Sequence, residues 1–408
     1  MKLNYNKLGQ YIKEVNERNS DLAITKLIGV SMEKTFISSV ANIVDTDMSV
    51  YKILKKGQLA CKLMSVGRDE KLPVDLYKND EPAIVSSAYY VFEPIDNKIL
   101  LSEYLFMWLC RPENDRYIGF ISGGDVRGGI SWETFCDIPI KVPHPAKQKE
   151  IVKEYNAIVK RIAFNSQFIQ KLEETAQAIY KQWFVDFEFP NESRKPYRSN
   201  NGEMEFNEKL EREIPKGWKV DVISKLVTVK DGTHDSPEPT EVGHPLVTST
   251  HLNLYDLSLN ETYNISAEDF NQANKRSKVD KHDILFSMIG TIGLVNYVLY
   301  DNINFAIKNV GLFKTSERKE VAEYILYFLK SDYLKLHIQS SLLGSTQNYV
   351  TLDFLRTIPI LIPSNNIFIQ FEECAGKIVN NIYLKVKENN ALKTVKNLLL
   401  SKLATIEN

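Results

Sequence analysis

The stretch DIPIKVPHPAKQKEIV, beginning at Asp137, returns in altered form as TIPILIPSNNIFIQFE at Thr357, so that Ile138 and Ile358 stand 220 residues apart. The same offset, with no gap, places Glu103 and Tyr104 on Glu323 and Tyr324, Leu109 on Leu329, Ile118 on Ile338 and Gly124 on Gly344. Downstream it places Ile158 and Val159 on Ile378 and Val379, Ile162 on Ile382 and Leu172 on Leu392. Self-similarity at one fixed offset means a chain built from repeated units. Folds without two like halves are thereby set aside.

Each half ends in a long helical pattern. In the first, apolar residues recur at Ile151, Tyr155, Ile158, Ile162, Ile169, Leu172, Ala176, Ile179 and Trp183, alternating steps of four and three. That spacing is a heptad seam, with Asn165 as its polar member. Pro145 suits the first turn of a helix, and FEFPNES ends it before Pro190. The second seam runs through Phe371, Ala375, Ile378, Ile382, Leu392, Leu399 and Leu403, interrupted by Lys385, Asn389 and Lys396. If the helices pair antiparallel about their centres, facing residue numbers sum to 554, which sets Asn165 against Asn389 and Ile162 against Leu392. A buried polar pair of this kind fixes register at some cost in stability. A helix from Ala146 to Phe184 is about 58 Å long at ~1.5 Å per residue, enough to act as a spacer between two like heads.

The expected architecture is α/β (α+β) with a pseudo-twofold internal repeat: a first head over 1–145, a helix over 146–187, a linker over 188–213, a second head over 214–363 and a second helix over 364–408. The linker stretch FPNESRKPYRSNNGEMEFNEKLEREIPKGW is polar and carries three prolines with no sustained periodicity. At 408 residues the chain is too long for a single core.

Composition narrows the class further. The chain is 43% hydrophobic and 25% charged, as ordinary globular proteins are. No apolar run reaches the ~18 residues of a bilayer span, and MKLNYNKLGQYIKEV lacks the pattern of a secretory signal, so a cytoplasmic protein without membrane contact is expected. Cys61, Cys110, Cys136 and Cys374 form no Cys-x-x-Cys pair, and the six histidines no His-x-x-x-His pair, so buried free thiols and no metal site are expected. A net charge of -1 gives no compositional sign of nucleic acid, although a local basic cleft balanced by acidic surface remains compatible with it.

Several segments resemble the specificity subunit of type I restriction-modification systems. The central AKQKEIVKEYNAIVKRIAFNSQFIQKLEETAQAIYKQWFVDFEFP does so most strongly, joined by IPKGWKVDVISKLVTVKDGTHDSP, DILFSMIGTIG and GSTQNYVTLDFLRTIPILIP. The resemblance spans nearly the whole chain, though the first head up to about Pro94 matches only in layout. It implies a non-catalytic subunit with two target-recognition domains, each reading one half of a split, asymmetric double-stranded DNA site. The implied partners are two modification subunits, which methylate adenine with S-adenosylmethionine, and restriction subunits that cleave DNA with ATP and magnesium. No cofactor is implied for this chain itself.

The residues agree with a chain that does no chemistry. A base-flipping adenine methyltransferase needs an Asn/Asp-Pro-Pro-aromatic loop, yet no Pro-Pro dipeptide occurs. A Gly-x-x-x-x-Gly-Lys-Ser/Thr phosphate loop is also lacking. Asp301 with Glu317-Arg318-Lys319 is a nominal nuclease pattern, but KTSERKEVAEY reads as a loop entering a helix. Asp231-Gly232-Thr233-His234-Asp235 reads as a turn before Pro237 and has no serine nucleophile elbow beside it.

Reading DNA requires side chains that reach base edges. In the second head the candidates are Thr233, His234, Ser249, Thr250, Asn253, Ser345, Thr346 and Gln347; in the first they are Lys62, Arg68 and Arg127. The repeat sets Arg127 on Gln347, and an arginine matches guanine where a glutamine matches adenine. A rod of two helices with polar interruptions buries little alone, so its exposed faces are expected to dock the modification subunits.

Overall fold

Each half closes on its Ile-Pro-Ile stretch. In the computed structural model, which describes residues 5–39, 46–64, 66–123, 128–343 and 349–403, Pro139–Ile140 pairs antiparallel with Asn6–Lys7, and Pro359–Ile362 pairs antiparallel with Lys219–Val222. The backbone amide of Leu8 donates to Ile138 O at 2.9 Å, and that of Ile223 donates to Ile358 O at 2.9 Å. The punctuation is written twice because each head needs its last strand tied to its first before the chain enters a long helix. Tyr104 Oη donates to Lys141 O and Tyr324 Oη to Leu361 O, so donors and acceptors both keep the repeat offset.

The chain divides into two compact units, Met1–Ala163 with Asn390–Asn408, and Phe164–Asn389. In the first, a four-stranded antiparallel sheet runs in the order Ile12–Val15, Tyr90–Pro94, Leu59–Cys61, Val74–Leu76. Strand alternation buries both faces: Leu59, Cys61 and Phe92 join one apolar cluster with Trp108 and Phe135, while Ala60 and Val91 join another with Leu54 and Tyr77. The second unit repeats the order with Val229–Asp231, Val310–Phe313, Ile284–Ser287 and Val295–Tyr297, again all antiparallel. There Ile284, Phe286 and Phe313 face one cluster and Leu285, Val310 and Leu312 the other. The helices Ser102–Leu109 and Ala322–Leu329 hold the matching place in each head, and nearly every residue of both is buried.

Two long helices, Pro145–Phe184 and Asn365–Lys402, cross the boundary between the units. Within the second unit they run antiparallel. Asn165 Nδ2 donates to Asn389 Oδ1 at 3.0 Å, and Phe371 packs on Phe184 and Trp183 at ring distances of 4.9 and 5.6 Å. Within the first unit, Ile151 and Tyr155 share a core with Leu400 and Leu403. The seam is wider than heptad spacing implies. Tyr180, Val379 and Leu400 are buried, whereas Ile158, Ile162, Ile169, Leu172, Ile179, Ile378, Leu392 and Leu399 are only half-buried, because a helix pair covers its flanking positions on one side alone. Each buried large side chain contributes roughly 1.5–3 kcal/mol, so this aromatic packing outweighs the polar interruptions at Lys385 and Asn389.

The polar stretch after the first helix is tied down by aromatic residues. Phe189 stacks on Trp218 at 5.0 Å and on Tyr197 at 4.6 Å, and Met204–Asn207 forms a hairpin with Arg212–Pro215. Phe187 adopts a φ of 63° and packs edge-on against Trp218, turning the chain sharply out of the helix. The four cysteines are free thiols. Cys61 is buried, while Cys110, Cys136 and Cys374 are half-buried, and burial pushes the Cys110 thiol up to about 12. Among the described residues no helix is long and apolar enough to cross a membrane, and no three His, Cys, Asp or Glu side chains gather as a metal site.

Candidate nucleic-acid interface

The strand Val229–Asp231 delivers its last side chain beneath a turn. Gly232 follows because the backbone passes close to the turn at Ile307, where a Cβ would lie 2.4 Å from Ile307 O. Thr233 then bridges to Lys308, its amide donating to Ile307 O at 3.0 Å. Across from it Asn309 takes a φ of 53°, a left-handed conformation that asparagine tolerates better than most residues. This crossing of two turns brings His234, Asp231 and Asn309 together.

The imidazole of His234 bridges the other two. Its Nε2 lies 3.0 Å from Asp231 Oδ2 and its Nδ1 2.7 Å from Asn309 Oδ1. The other carboxylate oxygen of Asp231 accepts from Nη2 of Arg276, in the last turn of the helix Ala267–Ser277. Asp231 is buried, whereas Arg276 and His234 are largely exposed. An open cavity of about 580 Å³ adjoins these groups, walled also by Ile289, Tyr349 and Asp353. The cluster lacks the arrangement of a catalytic triad: both ring nitrogens of His234 are engaged by Asp231 and Asn309, and the Ser236 hydroxyl is held by Lys308.

The structure separates the other candidates. Thr233 is buried and exchanges hydrogen bonds of 3.1 Å with Asp235, so it shapes the turn and does not line the cavity. Ser249 and Thr250 sit in a short 3-10 turn capped by Thr248, whose amide donates to His251 Nδ1 at 2.9 Å. Asn253 is exposed, donates to Ser258 Oγ at 3.2 Å, and borders a different cleft, of about 1050 Å³, alongside Lys330 and Tyr333. In the first unit Lys62 is half-buried, and exposed Arg68 is bound through Nε and Nη2 to its neighbour Asp69 at 2.7 and 3.1 Å. The Arg68 hydrogen bond holds the Asp69 carboxyl below its ordinary range. Arg127, Ser345, Thr346 and Gln347 lie outside the described residues.

Backbone pairing next to those segments is shared by the two heads. The amide of Ile130 donates to Leu63 O at 3.1 Å, and that of Val350, its repeat mate, donates to Met288 O at 3.0 Å. In the first head Gly67 also donates to Gly128 O at 2.8 Å. The nominal nuclease group does not assemble: Asp301 pairs with Lys281, and Glu317 accepts from Thr228 Oγ1 at 2.8 Å. Asp231, Arg276 and Asn309 are not among the DNA-reading residues that the sequence suggests. A left-handed turn at Asn309 is hinted at by the short link between two apolar runs, but the pairing of Arg276 with Asp231 joins residues 45 apart and leaves no local signal.

Comparison with known proteins gives these features a common setting. The family model for the type I restriction modification DNA specificity domain matches residues 75–174 and 215–394, one stretch in each half. The specificity subunit of the type I restriction enzyme HindI from Haemophilus influenzae is 24% identical over 89% of this chain and 89% of its own length. That of the enzyme MjaIX from Methanocaldococcus jannaschii is 25% identical over 74% of this chain and 68% of its own. Among solved structures, the type I restriction-modification S subunit from M. genitalium shares the fold with a TM-score of 0.58 at 12% identity, covering 98% of this chain and 96% of that one. The duplicated head, the duplicated helix and a family match falling once in each half place this chain in the type I restriction-modification specificity family.

Proposed function

We propose that this chain is the non-catalytic DNA-recognition subunit of a type I restriction-modification complex, reading a split, asymmetric double-stranded site with one head per half. The observation that carries this reading is the duplication itself. Two heads keep the same sheet order, the same closing strand and the same backbone pairing at Ile130 and Val350, yet the sequences leading into that pairing differ, SGGDVRGG against LLGSTQNY. One scaffold with two different surfaces suits two different half-sites, since base edges are told apart by side chains and not by backbone.

Chemistry then belongs to partners. Two modification subunits supply adenine methylation with S-adenosylmethionine, and restriction subunits supply ATP- and magnesium-dependent cleavage, all in the cytoplasm as a host defence. Neutral net charge is compatible with this, because partner subunits that clamp DNA add their own electrostatic attraction. The exposed Phe164 and Phe168 on the first long helix, and Leu384 and Leu398 on the second, are apolar surface suited to those partners. The test is migration of the complex reconstituted with its modification subunit on short genomic duplexes. Retardation competed away by one split sequence is the expected result, and unchanged migration with every duplex would contradict the reading.

A further inference from the structure

Arg276 has the arrangement of a reading residue prepared in advance. Its backbone is fixed because the helix Ala267–Ser277 is capped by Ser266, buries Ala273 and Ser277, and stacks Phe270 on His244 at 3.9 Å. Its guanidinium is fixed by Asp231, whose side chain is 5% exposed while that of Arg276 is 51% exposed. One terminal nitrogen is engaged there, and among the described residues the guanidinium makes no other hydrogen bond, which leaves several N–H donors unengaged on a side chain that lines the cavity. A free arginine loses rotamer entropy when it is immobilised, and a buried carboxylate that already holds it reduces that loss before DNA arrives.

The surroundings decide what those donors meet. Two carboxylates, Asp231 and Asp353, border the same cavity, so a phosphate entering it would face like charge. A base edge carries no net charge and is not repelled. Among base edges, the paired acceptors O6 and N7 of guanine match the arginine fork. We propose that Arg276 discriminates a guanine in the half-site of the second head, with Asp231 as its positioning residue; the proposal rests on the DNA-reading role given above.

The experiment uses the full chain reconstituted with its modification subunits, once the split motif of the wild-type complex is known. Initial methylation rates are measured on duplexes carrying each of the four bases at every position of both half-sites. Arg276→Lys keeps a positive charge beside Asp231 but lacks the fork. It is expected to lose about 10- to 100-fold of the preference for guanine at one position, leaving the other half-site unchanged. Asp231→Asn is expected to lose part of the same preference at that position. The untouched half-site and an unchanged melting temperature report a folded complex. Full wild-type preference at every position in Arg276→Lys would overturn the proposal while leaving the DNA-reading role standing. Equal weakening on all sequences, with a shallower salt dependence, would also overturn it, as the mark of a phosphate contact. Failure of the wild-type complex to favour any split motif would remove the role on which the proposal rests.

Discussion

Glu323 and Glu103 hold the same place in the repeat and live in different surroundings. Glu103 is exposed, whereas Glu323 is 4% exposed, accepts from Tyr297 Oη at 3.0 Å, and has no partner on Oε2 among the described residues. Burial is the main cause that raises its carboxyl to about 7, with Glu372 adding to it and Lys319 opposing. The folded state therefore binds the proton more tightly than the unfolded state, whose carboxyl titrates near 4.5. The contribution is complete below about pH 4.5 and is lost as pH rises through about 7, a change of roughly 3 kcal/mol. Glu323→Gln is expected to be the more stable protein at pH 8 and to flatten this part of the pH dependence. Urea unfolding of both proteins between pH 5 and 8 checks it, and parallel curves would count against the assignment. Sequence comparison of the halves identifies the position but not its burial, since burial depends on what packs above it: here the Tyr297 hydroxyl and the second long helix near Gly376, both distant in sequence. The same limit hides Arg276. Its partner is set by the crossing of a helix and a strand that no local pattern encodes.

Among the elements, the two long helices are the most legible. Their periodicity places the start of each within a residue of where it lies, while the expected end of the second, at 408, falls outside the described residues; seam numbering pairs Asn165 with Asn389, which meet in the structure. Less legible is the stretch after the first helix, where polar composition hides anchoring by Phe187, Phe189 and Tyr197. Three aromatic residues among many charged ones give no periodicity, yet each finds Trp218 or a neighbour of it. The asparagine pair is only partly satisfied, because Asn165 Oδ1 has no partner among the described residues. It is thus a device for register more than for stability. Asn389→Leu alone is expected to cost roughly 1–3 kcal/mol by leaving the Asn165 amide buried and unpaired. Adding Asn165→Leu should return stability to the wild-type level or above it, as an apolar seam. Denaturant midpoints of the two single variants and the double variant give the coupling, and additive losses would show that the pair does not act as a unit.

For the whole molecule, the constant repeat offset makes the duplication legible from the amino-acid order alone, and the segments resembling type I specificity subunits point to its use. Reading surfaces are less visible for a physical reason. The polar residues of loops that face DNA and of loops that merely turn the chain are the same types, and only tertiary contacts separate Thr233, bound into its turn, from His234 at a cavity edge. The most direct test of the central claim is mapping of methylated adenine across the host genome with this gene intact and with it deleted. One split motif, and no other, is expected to lose its methylation on deletion and to regain it when the gene is restored. An unchanged methylation map, from a host in which the modification subunit is demonstrably expressed, would contradict it.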